Sequence, residues 1–257
     1  MSKTVVVTGS GSGIGKAIAE VLAQRGWQVI ATDIDLEAAK KTAAGLDTAA
    51  GQAHEAAHMD ITDAAEVAAL ADDVADRLGL DGWVSNAGIS FMEDFLKMPI
   101  EKMDRSIDVN LKGCFISGQA AARAMVRTSK PGRIVNTASM AGKAGRVSFL
   151  ADYVAGKFGV VGLTQAMACE LGKYGITVNS VCPGYVRTSM QERELVWEAN
   201  LRGKTVPEVQ QMMIDDTPLG RIEEAHDVAK VVAFLMSDDA DFITGEAIAV
   251  NGGAYMD

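Results

Sequence analysis

KTVVVTGSGSGIGKAIAEVLAQRG, residues 3–26, decides the fold. Lys3–Thr8 is a short β-branched run that stops at Gly9, the pattern of a strand buried on both faces of a parallel sheet. From Ile14 to Gln24 the spacing turns helical, with Ile14, Ile18, Val21 and Leu22 on one face, and Gly26 is placed to end the helix. Between strand and helix lies TGSGSGIG, Thr8–Gly15. Glycines there let the backbone turn tightly and approach a pyrophosphate, and free N–H groups at the helix start face the anion. Gly9, Ser12, Gly13, Ile14 and Gly15 are candidate cofactor contacts.

The next strand, Gln28–Thr32, carries Asp33 at its carboxyl end, eighteen positions beyond Gly15. An acid there accepts both hydroxyls of an adenosine ribose and repels a 2′-phosphate. Neither Ser12 nor Ile34 supplies the cation that a 2′-phosphate needs, so the pattern predicts NAD in preference to NADP. A lone glycine pattern is a weak signal, and the bland reading is a tight turn followed by an exposed acid. The strand before, the helix after and the acid in register favour the cofactor reading.

The alternation continues along the chain. Helical segments are expected at Leu36–Leu46, Ala64–Leu78, Pro99–Met125 (two helices or one broken one) and Asp152–Lys173. Strands are expected at Glu55–Met59, Gly82–Ser85, Arg133–Thr137, Ile176–Val181 and Ala247–Val250. Strand and helix alternating in this way predict an α/β fold, a doubly wound seven-stranded parallel sheet with helices on both faces. No linker divides residues 1–257, so a single domain is expected. The polar, Met-rich segment Tyr185–Arg221, with a helix start at Pro207, breaks the rhythm and reads as a substrate loop or lid.

Composition narrows the function classes. The 257 residues are 48% apolar and 23% charged, enough for a sizeable core. A net charge of −10 with no basic run argues against nucleic acid as a partner. Three cysteines, Cys114, Cys169 and Cys182, show no CxxC spacing, so neither a disulfide framework nor a zinc site is expected. His54, His58 and His226 show no ligand spacing. No signal-peptide pattern and no run of about 18 apolar residues is present, so no membrane partner and a cytoplasmic location are expected.

Further motifs follow in order. Asp60 and Ile61 lie in MDIT, Asn86, Ala87 and Gly88 follow the fourth strand, and Asn110 sits in IDVNLKG. Ser139 lies in RIVNTASMAG, Tyr153 and Lys157 in YVAGK, and Pro183, Gly184, Val186 and Thr188 in CPGYVRT. Together with TGSGSGIG, this order resembles the short-chain dehydrogenase/reductase family over nearly the whole chain. The resemblance implies a Rossmann fold and a catalytic set of Asn110, Ser139, Tyr153 and Lys157. It also implies cofactor contacts at Asp60, Ile61, Asn86, Ala87, Gly88, Tyr153, Lys157, Pro183, Gly184, Val186 and Thr188. Tyr153 follows Ser139 by fourteen positions, one more than in many members. Ser148 lies in the same segment, but Ser139 directly follows the strand RIVNT and is retained.

Residues four apart on a helix share a face, so Lys157 can stand beside Tyr153. A nearby cation favours phenolate, and the tyrosine pKa is expected to fall from about 10. Tyr153 would then act as general base on a secondary alcohol, or as acid toward a ketone. Ser139 would stabilise charge on the same oxygen. The resemblance implies that Lys157 also holds the nicotinamide ribose and that Asn110 anchors a proton-carrying water.

The segment Ser189–Arg221 resembles that of members oxidising sugar alcohols and vicinal diols, so an NAD-dependent polyol or secondary-alcohol dehydrogenase is the expected activity. A 3-oxoacyl carrier-protein reductase or other carbonyl reductase is the enzyme alternative, and an inactive nucleotide-binding scaffold the alternative of another class. Expected substrate-lining residues are Ser90, Phe91, Ala141, Gly142, Val147, Phe149, Gly184, Tyr185 and Met190. The C-terminal GEAIAVNGGAYMD resembles an interfacial tail of the family's homotetramers, which implies a homotetramer here. Some relatives hold magnesium near the C-terminus, but Asp257 is a single carboxylate and no metal site is expected.

Overall fold

The computed structural model describes residues 2–256. Among them seven strands form one parallel sheet in the order β3-β2-β1-β4-β5-β6-β7. The strands are β1 Thr4–Thr8, β2 Gln28–Asp33, β3 Glu55–His58, β4 Gly82–Ser85, β5 Gly132–Thr137, β6 Ile176–Pro183 and β7 Ala247–Val250. The helices are α1 Gly13–Gln24, α2 Leu36–Ala44, α3 Ala64–Arg77, α4 Ile100–Ile107, α5 Gly113–Arg127, α6 Ala151–Leu171, α7 Ser189–Arg202, α8 Val206–Asp215 and α9 Ala225–Leu235.

The period of two in β1 divides the core. Val5 and Val7 face α1 and α9, packing with Ile18, Leu22, Val228 and Val232. Val6 faces the other layer, with Val67 and Val74 of α3 and Ala121 and Met125 of α5. All three valines are fully buried, and each contributes about 1.5–3 kcal/mol by leaving water. A strand buried on both faces has no polar alternation, which is why the β-branched run was readable.

Strand order reverses between β1 and β4, which pair in parallel with Val7 opposite Val84. A crevice opens at the carboxyl ends of the strands where the order reverses. Thr8, Asp33 and Ser85 end their strands at this edge, beside Asn86.

One helical segment meets the expectation of two helices or one broken one, and two others differ from the sequence reading. The 99–125 stretch is α4 and α5 joined by a five-residue π turn, Asp108–Lys112, so the helix changes phase without stopping. α7 occupies the part of 185–221 that precedes the expected start at Pro207, and α8 begins at Val206. α9 was not anticipated, although Val228, Val232 and Leu235 carry helical spacing and are fully buried.

Candidate active site

The glycine loop is shaped by contacts a side chain would fill. Gly9 has φ 64°, and a Cβ there would lie 2.7 Å from Ala87 Cα. A Cβ on Gly15 would strike the Gly9 carbonyl oxygen. Asn86 clasps the loop to β4, its Nδ2 donating to Thr8 O at 3.1 Å and Gly9 O at 3.3 Å. The Thr8 hydroxyl accepts the N–H groups of Asn86 and Ala87 at 2.9 and 3.0 Å. Ser12 precedes α1 in extended backbone and its side chain makes no capping bond. The first-turn N–H groups therefore face the cleft, and the cradle fits a pyrophosphate.

Asp33 accepts the Gly11 N–H at 2.9 Å through Oδ2 and the Asp35 N–H at 3.0 Å through Oδ1. It thus braces the loop while its carboxylate lines the cleft. Asp60 accepts from the Thr62 hydroxyl at 2.7 Å and the Thr62 N–H at 2.9 Å. These bonds hold its carboxyl below the ordinary range. Met59, Ile61 and Arg105 line the same end.

At the other end, Ser139 follows β5 and caps the 3₁₀ turn Met140–Gly142, its Oγ accepting the Ala141 N–H at 3.1 Å. Lys157, on α6, is buried and donates from Nζ to Thr137 O at 2.7 Å. The Nζ stands 5.4 Å from the Tyr153 ring centre. Burial pushes Lys157 down to about 8, so it stays mostly charged at neutral pH. Tyr153 departs from expectation: its pKa rises rather than falls. Burial is the largest cause and the Glu194 carboxylate the next, with the Ser139 hydroxyl opposing them. The lysine charge is spent on a carbonyl and stands across the ring, so desolvation outweighs it.

Asn110 lies in the π turn and exchanges two bonds with one residue: Nδ2 donates to Ile89 O at 2.9 Å, and Oδ1 accepts the Ile89 N–H at 3.0 Å. It stands behind Gly88 rather than on the cleft wall. Gly15 is likewise set back from the wall. Gly9, Ser12, Gly13, Ile14, Asp33, Asp60, Ile61, Asn86, Ala87 and Gly88 line one cleft of about 550 Å³. Ser139, Tyr153, Lys157, Pro183, Gly184, Val186 and Thr188 line it as well.

Pro183 and Gly184 are held from behind. The Gly184 N–H is shared between Val250 O at 3.1 Å and Glu223 Oε2 at 2.8 Å. Glu223 is buried, its Oε1 has no hydrogen-bond partner, and burial pushes its pKa up to about 7. Thr188 caps α7 by accepting the Gln191 N–H at 3.2 Å.

Of the expected substrate-lining residues, Ala141, Val147, Gly184, Tyr185 and Met190 reach the cleft, whereas Ser90, Phe91, Gly142 and Phe149 do not. The longer Ser139–Tyr153 segment includes Phe149 at φ 66°, a left-handed conformation that costs on the order of 1–3 kcal/mol for such a residue. Sequence reasoning missed Arg146, Arg193, Glu194, Glu198 and Arg202, which all line the cleft. The i, i+4, i+8 spacing of Glu194, Glu198 and Arg202 would have placed them on one face had α7 been read as a helix.

Among the described residues no group of three or more His, Cys, Asp or Glu side chains could hold a metal, and no helix is long and apolar enough to cross a membrane. Asp257 lies outside the described residues.

A pyrophosphate cradle at the strand-order switch, an acid ending β2 and a Ser–Tyr–Lys set opposite define a nicotinamide-dependent oxidoreductase of the Rossmann class. A family model described as enoyl-(acyl carrier protein) reductase matches residues 9–255. The (3R)-3-hydroxyacyl-CoA dehydrogenase of Canis lupus familiaris is 40% identical over 99% of this chain and 97% of its own length. The D-beta-hydroxybutyrate dehydrogenase of Rhizobium meliloti (strain 1021) is 38% identical over 98% of each. A solved short-chain type dehydrogenase/reductase from Mycobacterium marinum superposes with a TM-score of 0.89 at 33% identity, covering 99% of this chain and 96% of that one. The chain belongs to the short-chain dehydrogenase/reductase family.

Proposed function

We propose that the protein is an NAD-dependent dehydrogenase of secondary alcohols that carry neighbouring hydroxyls: polyols, sugar alcohols or vicinal diols. The observation that carries the oxidoreductase chemistry is the convergence of Ser139, Tyr153 and Lys157 on one cleft with the glycine cradle and Asp33. Asp33 presents a carboxylate where a ribose would bind, which favours NAD over NADP.

Bound NAD supplies the hydride acceptor. Tyr153 takes the substrate hydroxyl proton in oxidation and returns one to the carbonyl oxygen in reduction. Ser139 donates a hydrogen bond to that oxygen as charge develops. Lys157 holds its charge beside the phenol and favours phenolate once the cationic form of the cofactor joins it. Asn110 is a positioning residue that fixes the Gly88–Ile89 backbone. Residues 185–221, with α7 and α8, form the lid over the substrate end. The assembly is a homotetramer with α5 and α6 at its interfaces, and Cys114, Cys169 and Cys182, none of them in a disulfide, fit a cytoplasmic location.

A second reading is oxidation of 3-hydroxyacyl thioesters. It is favoured by the names of the relatives and by Arg146 and Arg193, exposed on the cleft wall where they suit phosphate groups. Absorbance of reduced nicotinamide decides between them. The enzyme is assayed with NAD or NADP against hexitols, pentitols, small diols and 3-hydroxyacyl thioesters. Polyol or diol oxidation with NAD supports the first reading; activity confined to thioesters replaces it with the second.

A further inference from the structure

We propose that Glu194 sets the substrate class of this site, accepting a hydrogen bond from a second hydroxyl beside the reacting carbinol and rejecting substrates with a carboxylate there. The inference rests on the polyol reading above and adds the group that would read the neighbouring hydroxyl.

α7 presents Glu194, Glu198 and Arg202 to the cleft at one-turn intervals. Two of the three satisfy each other. Arg202 Nε lies 2.6 Å from Glu198 Oε1, and its guanidinium rests 5.3 Å from the Phe149 ring centre. Glu194 has no ion-pair partner among the described residues. It lines the same cleft as Ser139 and Tyr153, partly buried, and its charge acts on Tyr153. Burial pushes the Glu194 pKa up and the Glu198 charge adds to it, while the Ser90 hydroxyl and the Arg193 guanidinium oppose them. Ser90 Oγ is itself buried and reaches no hydrogen-bond partner among the described residues.

A carboxylate held away from water near the reacting atoms is an acceptor in want of donors. A diol or polyol brings a hydroxyl that donates. A simple secondary alcohol brings none and leaves the carboxylate as it was. A free 3-hydroxy acid brings a second negative charge into the same space, which the site opposes. A thioester is neutral at that position but offers no donor. The predicted order of preference is therefore diol, then mono-alcohol, then free hydroxy acid.

The test compares wild type, Glu194→Gln and Glu194→Asp with NAD and three substrates: butane-2,3-diol, butan-2-ol and 3-hydroxybutyrate. Wild type should favour the diol over butan-2-ol by at least about tenfold in kcat/KM, as a hydrogen-bonded substrate hydroxyl does. In Glu194→Gln that preference should shrink several-fold and 3-hydroxybutyrate should gain. In Glu194→Asp the shorter reach should weaken the diol preference while 3-hydroxybutyrate stays excluded, because the charge remains. Diol oxidation whose selectivity neither variant moves overturns the role of Glu194 and leaves the polyol reading standing. A wild-type enzyme that oxidises 3-hydroxybutyryl thioester and no diol overturns the polyol reading and the inference with it.

Discussion

Glu223 accepts the Gly184 N–H at 2.8 Å with one carboxylate oxygen while the other lies buried without a partner. A carboxylate so placed is costly when ionised, and its pKa is raised from 4.5 to about 7. Its folded value exceeds its unfolded value, so the stability it contributes is fully present below pH 4.5 and is lost as pH rises through 7. The loss is about 3 kcal/mol at most. Glu223→Gln, which mimics the protonated acid, should gain on wild type as pH rises from 5 to 8. Melting temperatures across that range check this, and parallel curves for the two proteins would refute it.

Asn110 supplies both hydrogen bonds of Ile89's backbone. Asn110→Leu would leave a partly buried N–H and carbonyl without their partner and should destabilise the fold by about 1–3 kcal/mol. Urea unfolding measures it. A loss below the experimental error would show that the 86–90 backbone does not depend on this side chain.

Tyr153→Phe keeps the ring and its packing but removes the proton carrier. Turnover should fall by roughly 10²–10⁴-fold or more. NAD binding, followed by fluorescence titration, should change little. Near-normal rates in this variant would remove Tyr153 from the chemistry.

The Glu194 carboxylate raises the Tyr153 pKa. Removing that charge with Glu194→Gln should lower it, so the pH giving half-maximal kcat/KM for alcohol oxidation should move down. The profile is measured with a mono-alcohol, which has no second hydroxyl to confuse the reading. An unmoved or upward-shifted profile contradicts the electrostatic link.

Asp33 bonds the Gly11 and Asp35 N–H groups. Asp33→Ala should therefore lower the NAD-over-NADP ratio of kcat/KM and also loosen the glycine loop. Kinetics with each cofactor gives the first effect, and the melting temperature without cofactor gives the second. An unchanged cofactor ratio would dismiss Asp33 as the discriminator.

Most strands could be placed to within a residue or two because they are β-branched runs stopped by glycine or by a loop acid, as at Val5–Val7 and Val29–Ile30. The cofactor end was legible for a related reason: Gly9, Gly15 and Asn86 are fixed by backbone crowding, and such constraints leave a mark on residue type. α7 was not legible, because it buries little beyond Ala199 and offers its polar face to a cleft rather than an apolar stripe to the core. The substrate wall depends on that helix, so Glu194 and its neighbours were missed with it. The Tyr153 pKa was misjudged because sequence spacing shows which charge is near and says nothing of desolvation.

The π turn at Asp108–Lys112, where the Gly113 N–H reaches back five residues to Asp108 O, works as a phase shifter. One surplus residue rotates the α5 side relative to α4 by about 100°. Deleting a single residue there would leave a smoother helix, yet it would point Asn110 away from Ile89 or swing the α5 apolar face off the sheet. This stretch of chain thus has a fixed count, and a one-residue change in length would do more harm there than most changes of identity.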